Sequence, residues 1–218
     1  MKKITAIEPQ QKNPQRVNVY LDGEFAFGLA RFTAGWLKLG QELSEEKISV
    51  LQAEDAGEVT YQKALHFLSY RPRSSAEIRQ NLAKRGSPAE LVDETLARLQ
   101  RAGLVNDNDF ARAWVENRNT FRPRSKLALQ FELRRKGLSD EVVQPVLDEL
   151  VDEQALAFEA ARKYALRLAG REWLDFRQKL NGFLARRGFS YATITPIVSE
   201  VWKEIQTADE GETSDDKD

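Results

Sequence analysis

Leu82-Ala83-Lys84-Arg85-Gly86, Leu133-Arg134-Arg135-Lys136-Gly137 and Leu184-Ala185-Arg186-Arg187-Gly188 are three copies of one pattern, and their leucines fall 51 residues apart. A fixed period of this length marks a tandem helical array. Such an array offers an extended surface for a partner rather than one catalytic pocket. In each copy a helix closes on basic side chains, which favour a helix C-terminus, and on a glycine able to take the left-handed C′ conformation.

Outward from the motif the same step aligns apolar positions. Ile78, Leu129 and Leu180 lie upstream. Downstream lie Val92, Val143 and Ile194; Leu96, Leu147 and Val198; and Leu99, Leu150 and Val201. Within a copy the downstream set falls at i, i+4 and i+7, one face of a helix. Start signals follow each glycine: Ser87-Pro88, Ser139-Asp140-Glu141 and Ser190. Ser74 with Glu77 reads as a capping box. The spacing predicts three helices per repeat. They lie near 60–71, 74–86 and 88–102, then 108–120, 125–137 and 140–151, then 153–169, 174–187 and 191–206.

The first 59 residues do not follow the period. Arg16 to Leu21 and Glu24 to Leu29 alternate around Asp22-Gly23, a strong hairpin signal. Ile4 to Glu8 adds a candidate third strand, Ala30 to Leu39 looks helical, and Ser44-Glu45-Glu46 starts another helix. Phe25, Phe27, Phe32 and Trp36 are expected to form this module's own core. The expected fold is mainly α: three tandem three-helix repeats, about 60–103, 104–152 and 153–206, in a curved elongated array. A β-hairpin-containing module (1–59) precedes it, and a disordered acidic tail (207–218) follows.

The net charge of −1 conceals strong patterning. Residues 63–85 carry six basic side chains against one acid. Residues 112–136 and 162–187 each carry eight against two. Between them the sign reverses: 87–109 sum to −3 and 138–161 to −7. Repeats stacked in register would align these helices into a basic stripe, suited to a polyanion or an acidic protein surface. Solvated faces with local ion pairs are the plainer alternative.

Several function classes find no support. There are no cysteines, hence no disulfide framework and no cysteine-based zinc site. His66 is the single histidine and reads as a packing or surface residue. There is no phosphate-binding Gly-Lys-Ser/Thr loop and no dinucleotide fingerprint. No apolar run approaches the ~18 residues of a membrane span. The reading is a non-enzyme with no cofactor and no metal, monomeric and cytoplasmic.

A second motif also recurs 51 residues apart, Arg71-Pro72-Arg73-Ser74 and Arg122-Pro123-Arg124-Ser125. Proline stops one helix and serine starts the next, leaving two arginines on a tight corner. They either reach outward to carboxylates and phosphates or cap carbonyls at the corner itself.

With Ser74-Ser75-Ala76-Glu77-Ile78-Arg79 running into the first glycine motif, and with the linker Gly103-Leu104-Val105-Asn106-Asp107-Asn108-Asp109-Phe110-Ala111, the chain closely resembles the RecX family, regulators of the RecA recombinase. The likeness covers about residues 60–206. It weakens in the third repeat, where Trp173-Leu174-Asp175-Phe176 replaces the arginine corner. The resemblance implies a regulator that lies in the groove of the RecA–DNA filament, inhibits strand exchange and ATP hydrolysis, and acts in recombination, repair and the SOS response. DNA is a possible further partner. The contact residues it implies are Arg71, Arg73, Arg79, Lys84 and Arg85; Arg122, Arg124, Lys126, Arg134, Arg135 and Lys136; and Arg177, Lys179, Arg186 and Arg187. It also implies that Phe110 and Ala111 pack between repeats. A stand-alone nucleic-acid-binding helical module remains the alternative.

Overall fold

Asp22 and Gly23 both take positive φ, 52° and 90°, and close a hairpin between β2 (Asn13–Leu21) and β3 (Glu24–Ala30). Positive φ at both central residues is what a tight, twist-matched hairpin turn demands. In this computed structural model, which describes residues 1–212 and, of 208–212, the backbone alone, β1 (Lys2–Gln10) pairs antiparallel with β2. A two-residue β4 (Glu42–Leu43), too short to show in the sequence, joins the edge of β1. The strand order is β3-β2-β1-β4. Ile4, Val17, Val19, Leu21, Phe27 and Leu29 point to one face and form a core with Leu43, Ile48 and Leu51.

Of the four aromatics expected in that core, Phe27 alone belongs there. Phe25, Phe32 and Trp36 are 59%, 82% and 83% exposed. The cause at Phe25 is a register shift. Phe27 pairs with Val19 but Phe25 pairs with Tyr20, so a bulge at Ala26 turns Phe25 to the outer face, edge-on to the Tyr20 ring. The helix expected over Ala30 to Leu39 is a single turn, α1 (Arg31–Ala34), whose one buried residue is Ala34.

The helix starting at Ser44 and the helix expected from residue 60 are one element, α2 (Glu45–Leu68). Its 24 residues span about 36 Å. Between Ser44 and Leu68 there is no proline, and Gly57 alone does not stop a helix already held at both ends. Ile48 and Leu51 enter the sheet core, while Ala64 enters the next core with Ile78, Leu82, Val92, Leu96 and Leu99. The 59/60 boundary therefore falls inside a helix.

Three-helix repeats follow. The first adds α3 (Ser75–Lys84) and α4 (Ala89–Arg101) to α2. The second is α5 (Asp107–Phe121), α6 (Lys126–Arg134) and α7 (Asp140–Leu150). The third is α8 (Glu153–Ala165), α9 (Trp173–Ala185) and α10 (Tyr191–Glu212). The chain clusters into two compact units, one ending at Val105 and one beginning at Asn106, which holds the second and third repeats. Because α10 runs to Glu212, part of the expected acidic tail is helical; 213–218 lie outside the described residues.

The aligned apolar positions are core residues. Ile78, Leu129, Leu180, Leu82, Leu133 and Leu184 are all fully buried, and of the downstream set only Leu150 remains half-exposed. Burying each contributes roughly 1.5–3 kcal/mol. Phe110 and Ala111, expected between repeats, lie in the second repeat's own core with Val115, Leu129 and Leu133. Asn106 stands before them as N-cap, accepting from the amides of Asn108 and Asp109. The third repeat replaces the arginine corner with an aromatic cluster. Phe176 and Trp173 lie 4.9 and 5.4 Å from Trp202.

Candidate partner-binding surface

Each glycine motif builds the same helix end. The amide after the glycine returns to the leucine carbonyl (Ser87 to Leu82, Leu138 to Leu133, Phe189 to Leu184), and the glycine amide bonds one residue further on. Gly86, Gly137 and Gly188 have φ of 77°, 80° and 91°. This paired closure is a Schellman motif. It holds the basic residues between leucine and glycine on the last turn, facing out. Lys84, Arg85, Arg135 and Arg186 are exposed there and form no ion pair among the described residues. Arg134 pairs instead with Asp140 at the start of α7, with Nε 2.7 Å from Oδ1. That ion pair holds the Asp140 carboxyl below its usual range and the Arg134 guanidinium above it. Lys136 lies 5.1 Å from the Trp114 ring centre.

The helix starts are less uniform than the sequence suggests. Ser74 accepts from the Glu77 amide in a capping box, and Ser125 and Ser190 accept from Ala128 and Thr193. Ser87 does not cap. Pro88 occupies the N-cap position and the Ser87 hydroxyl is buried without a hydrogen-bond partner among the described residues. Ser139 sits at its N-cap without a side-chain bond.

The arginine corners divide by position. Arg71 folds back on α3, donating from both terminal nitrogens to Glu77 (3.1 and 2.9 Å) and to the Pro72 carbonyl. Arg73 lies 4.0 Å over the Phe67 ring. Burial, aided by the charge of Arg71, holds its guanidinium below the ordinary arginine value. In the second corner Arg124 Nε stands 3.0 Å from Glu132 Oε1, and Glu132 also accepts from Trp114 and Arg118. Arg122 is exposed and its side chain has no ion-pair partner among the described residues. So Arg71 and Arg124 hold their corners, and Arg122 faces solvent.

The remaining basic candidates are similarly mixed. Arg79 pairs with Asp93, Lys126 with Asp148 at 3.1 Å, and Lys179 with Asp175 at 3.1 Å. Arg177 is exposed. Arg187 is half-buried: it donates to the Pro123 carbonyl at 3.0 Å and lies 4.3 Å over the Phe183 ring. Burial first, then the nearby charges of Arg122 and Arg124, holds its guanidinium below the usual value. His66 is exposed, 3.2 Å from the Tyr70 hydroxyl. No group of side chains among the described residues is arranged to hold a metal ion, and no described helix is long and apolar enough to cross a membrane.

Four descriptions of known domains fit the chain in order. The RecX N-terminal domain matches residues 2–44, and the first, second and third RecX three-helix domains match 61–99, 106–147 and 152–198. The chain belongs to the RecX family. The "Regulatory protein RecX" of Bacillus pumilus (strain SAFR-032) is 32% identical over 203 residues, covering 91% of this chain and 77% of that one. That of Listeria monocytogenes serotype 4b (strain CLIP80459) is also 32% identical, over 219 residues, covering 96% and 80%. A crystal structure of regulatory protein RecX superposes with a TM-score of 0.68 at 28% identity, covering 88% of this chain and 97% of that one. RecX from Lactobacillus salivarius shares the fold, at a TM-score of 0.60 and 24% identity, over 68% of this chain and 97% of that one.

Within this RecX chain, sequence reasoning missed Glu132, Arg118 and Trp114, which fix the second corner. The only sequence signal was that Glu132 is one of two acids, with Glu116, in the basic 112–136 block.

Proposed function

We propose that this RecX protein is a regulator of the RecA recombinase that lies in the groove of the RecA–DNA filament and restrains strand exchange and ATP hydrolysis. It acts as a cytoplasmic monomer in recombination, repair and the SOS response. One observation carries the reading. The same closed helix end recurs in every repeat, and each time it leaves cations exposed without an acidic partner among the described residues: Lys84 and Arg85, Arg135, and Arg186. Ion pairs already made within the chain, such as Arg134–Asp140, leave less for a partner. The cations left unpaired among the described residues are therefore the principal contacts, and Arg122 and Arg177 are further ones. Their partner is acidic protein surface or exposed phosphate in the filament groove. The supporting kinship is that the relatives are themselves named regulatory proteins.

The test is RecA ATP hydrolysis on single-stranded DNA with this protein added. Inhibition at or below one protein per filament binding site is expected. Unchanged hydrolysis at several-fold excess would overturn the proposal.

A further inference from the structure

Between the second and third repeats, inside one compact unit, lies a cavity of about 220 Å³. Its walls include Phe121, Lys163, Tyr164, Arg167, Phe183 and Arg187, and no carboxylate lines it among the described residues. Arg167 and Arg187 have no ion-pair partner among the described residues, and Lys163 has only a loose, exposed one, Glu159 at 3.6 Å. Arg122 and Arg124 stand close enough to depress the Arg187 pKa. Arg187 is half-buried while Lys163 and Arg167 are exposed, so the concave site joins one partly desolvated cation to two solvated ones, an arrangement that an anion would stabilise.

The aromatic side of the cavity completes the chemistry. Tyr164 and Phe183 stack at 4.0 Å, nearly parallel, and Arg187 covers the outer face of Phe183, so this pair is a wall rather than a free platform. Phe121 is different. It is the last residue of α5, 77% exposed, and lines the same cavity as the cations.

We propose that this cavity is a site for a nucleotide unit, its phosphate held by Arg167, Arg187 and Lys163 and its base laid on Phe121. A planar apolar surface next to a cation cluster is matched by one ligand that carries a ring and a phosphate together. An acidic peptide would need two residues to supply both. The unit comes either from a single strand or from a free nucleotide, and both present the same chemistry. The site needs no recombinase, so it stands or falls separately from the filament reading.

The experiment uses the full-length protein with no recombinase present and follows fluorescence anisotropy of a labelled oligothymidylate. Arg187 bonds the Pro123 carbonyl, so it is left intact. Arg167→Glu and Phe121→Ala are compared with Lys12→Glu, a charge reversal of equal size in the β1–β2 turn, and thermal melts establish that each variant is folded. Arg167→Glu is expected to weaken binding about tenfold or more, and Phe121→Ala about fivefold or more, with Lys12→Glu within about twofold. Displacement by thymidine 5′-monophosphate supports a free nucleotide as the source; displacement only by unlabelled oligothymidylate supports a strand. Unchanged binding in both cavity variants overturns the proposal. So does displacement by polyglutamate as effective as that by unlabelled oligothymidylate together with unchanged binding in Phe121→Ala, which would assign the cavity to an acidic protein surface.

Discussion

The guanidinium of Arg187 donates a 3.0 Å hydrogen bond to the carbonyl of Pro123, 64 residues earlier. The bond is returned: the Ser125 amide donates to the Arg187 carbonyl at 3.2 Å. The basic motif of the third repeat thus locks the proline corner of the second. An arginine singled out for a partner is here also a structural tie. Arg187→Met keeps the apolar stem over Phe183 and removes the bond to Pro123. Loss of repulsion from Arg122 and Arg124 offsets part of the cost. Urea unfolding is expected to show a decrease of about 1–2 kcal/mol, and no decrease would mean the tie is not formed in solution.

The two arginines of that corner separate function from stability. Arg122 is exposed and has no ion-pair partner among the described residues, so Arg122→Glu is expected to change unfolding free energy by less than about 0.5 kcal/mol while weakening inhibition of RecA hydrolysis severalfold. Arg124→Glu sets a carboxylate against Glu132 in a half-buried site. It is expected to cost about 2 kcal/mol or more, lost inhibition then following from a loosened corner. Parallel urea and hydrolysis curves for the pair check this, and an Arg122→Glu variant with full inhibition would remove Arg122 from the contact surface.

What was legible in the sequence was whatever is local and periodic. Leucine, basic residues and glycine 51 apart announced the Schellman ends, and Ser74 with Glu77 announced a capping box, because each depends on residues within one turn. The bulge at Ala26 was not legible, since nothing in Glu24-Phe25-Ala26-Phe27 departs from strict alternation; pairing with Tyr20 and Val19 decides it. Nor was the Arg124–Glu132 ion pair, where the outward and inward readings of the corner differ only in tertiary packing. Pro145 and Pro196 were a missed signal in plain view. They too lie 51 apart, each within a helix, α7 and α10, and on its exposed face.

Gly188 and Gly86 share a left-handed conformation but not a neighbourhood. A Cβ at Gly86 would meet nothing within 4 Å, whereas at Gly188 it would come within 2.7 Å of Ser125 Oγ and 2.8 Å of Ala128 Cβ. Gly86→Ala is expected to cost about 1 kcal/mol, the left-handed backbone penalty alone. Gly188→Ala adds overpacking against the second corner, for about 2–4 kcal/mol in all. Urea midpoints rank the two, and equal losses would show that the third motif does not press on Ser125.

Acid is expected to loosen the protein through specific carboxylates. Hydrogen bonds from Arg134, Arg112 and Arg171 hold Asp140, Glu149 and Asp175 below their ordinary values. At Glu58 burial pushes upward, but hydrogen bonds from Gln62 and Arg98 and the Arg98 charge outweigh it. A folded-state pKa below the unfolded one means stability present above the unfolded carboxyl value and lost as pH falls through the folded one. Unfolding free energy is therefore expected to be flat from neutrality to about pH 5 and to decline below about pH 4. Asp140→Asn should flatten part of that decline; an unaltered pH profile would mean that the Arg134 pair does not persist in solution.

Asp55 joins the strand module to the helical part of its own compact unit. It lies on α2, is buried, and accepts from Arg16 on β2 at 2.7 and 3.4 Å and from the Ala30 amide at 2.5 Å. Arg16 also donates to the Gly28 carbonyl, so one carboxylate organises two strands and a helix. Asp55→Ala strands a half-buried guanidinium and an amide, and is expected to lower unfolding free energy by about 2–4 kcal/mol. The loss should be local first. Amide exchange is expected to rise in β2, β3 and the N-terminal half of α2, with the repeats from Asn106 onward protected as before. Arg16→Met with Asp55→Leu together, replacing the pair by apolar side chains, should recover much of the loss. A double variant as unstable as Asp55→Ala alone would show that the Ala30 amide, rather than the ion pair, is what Asp55 serves.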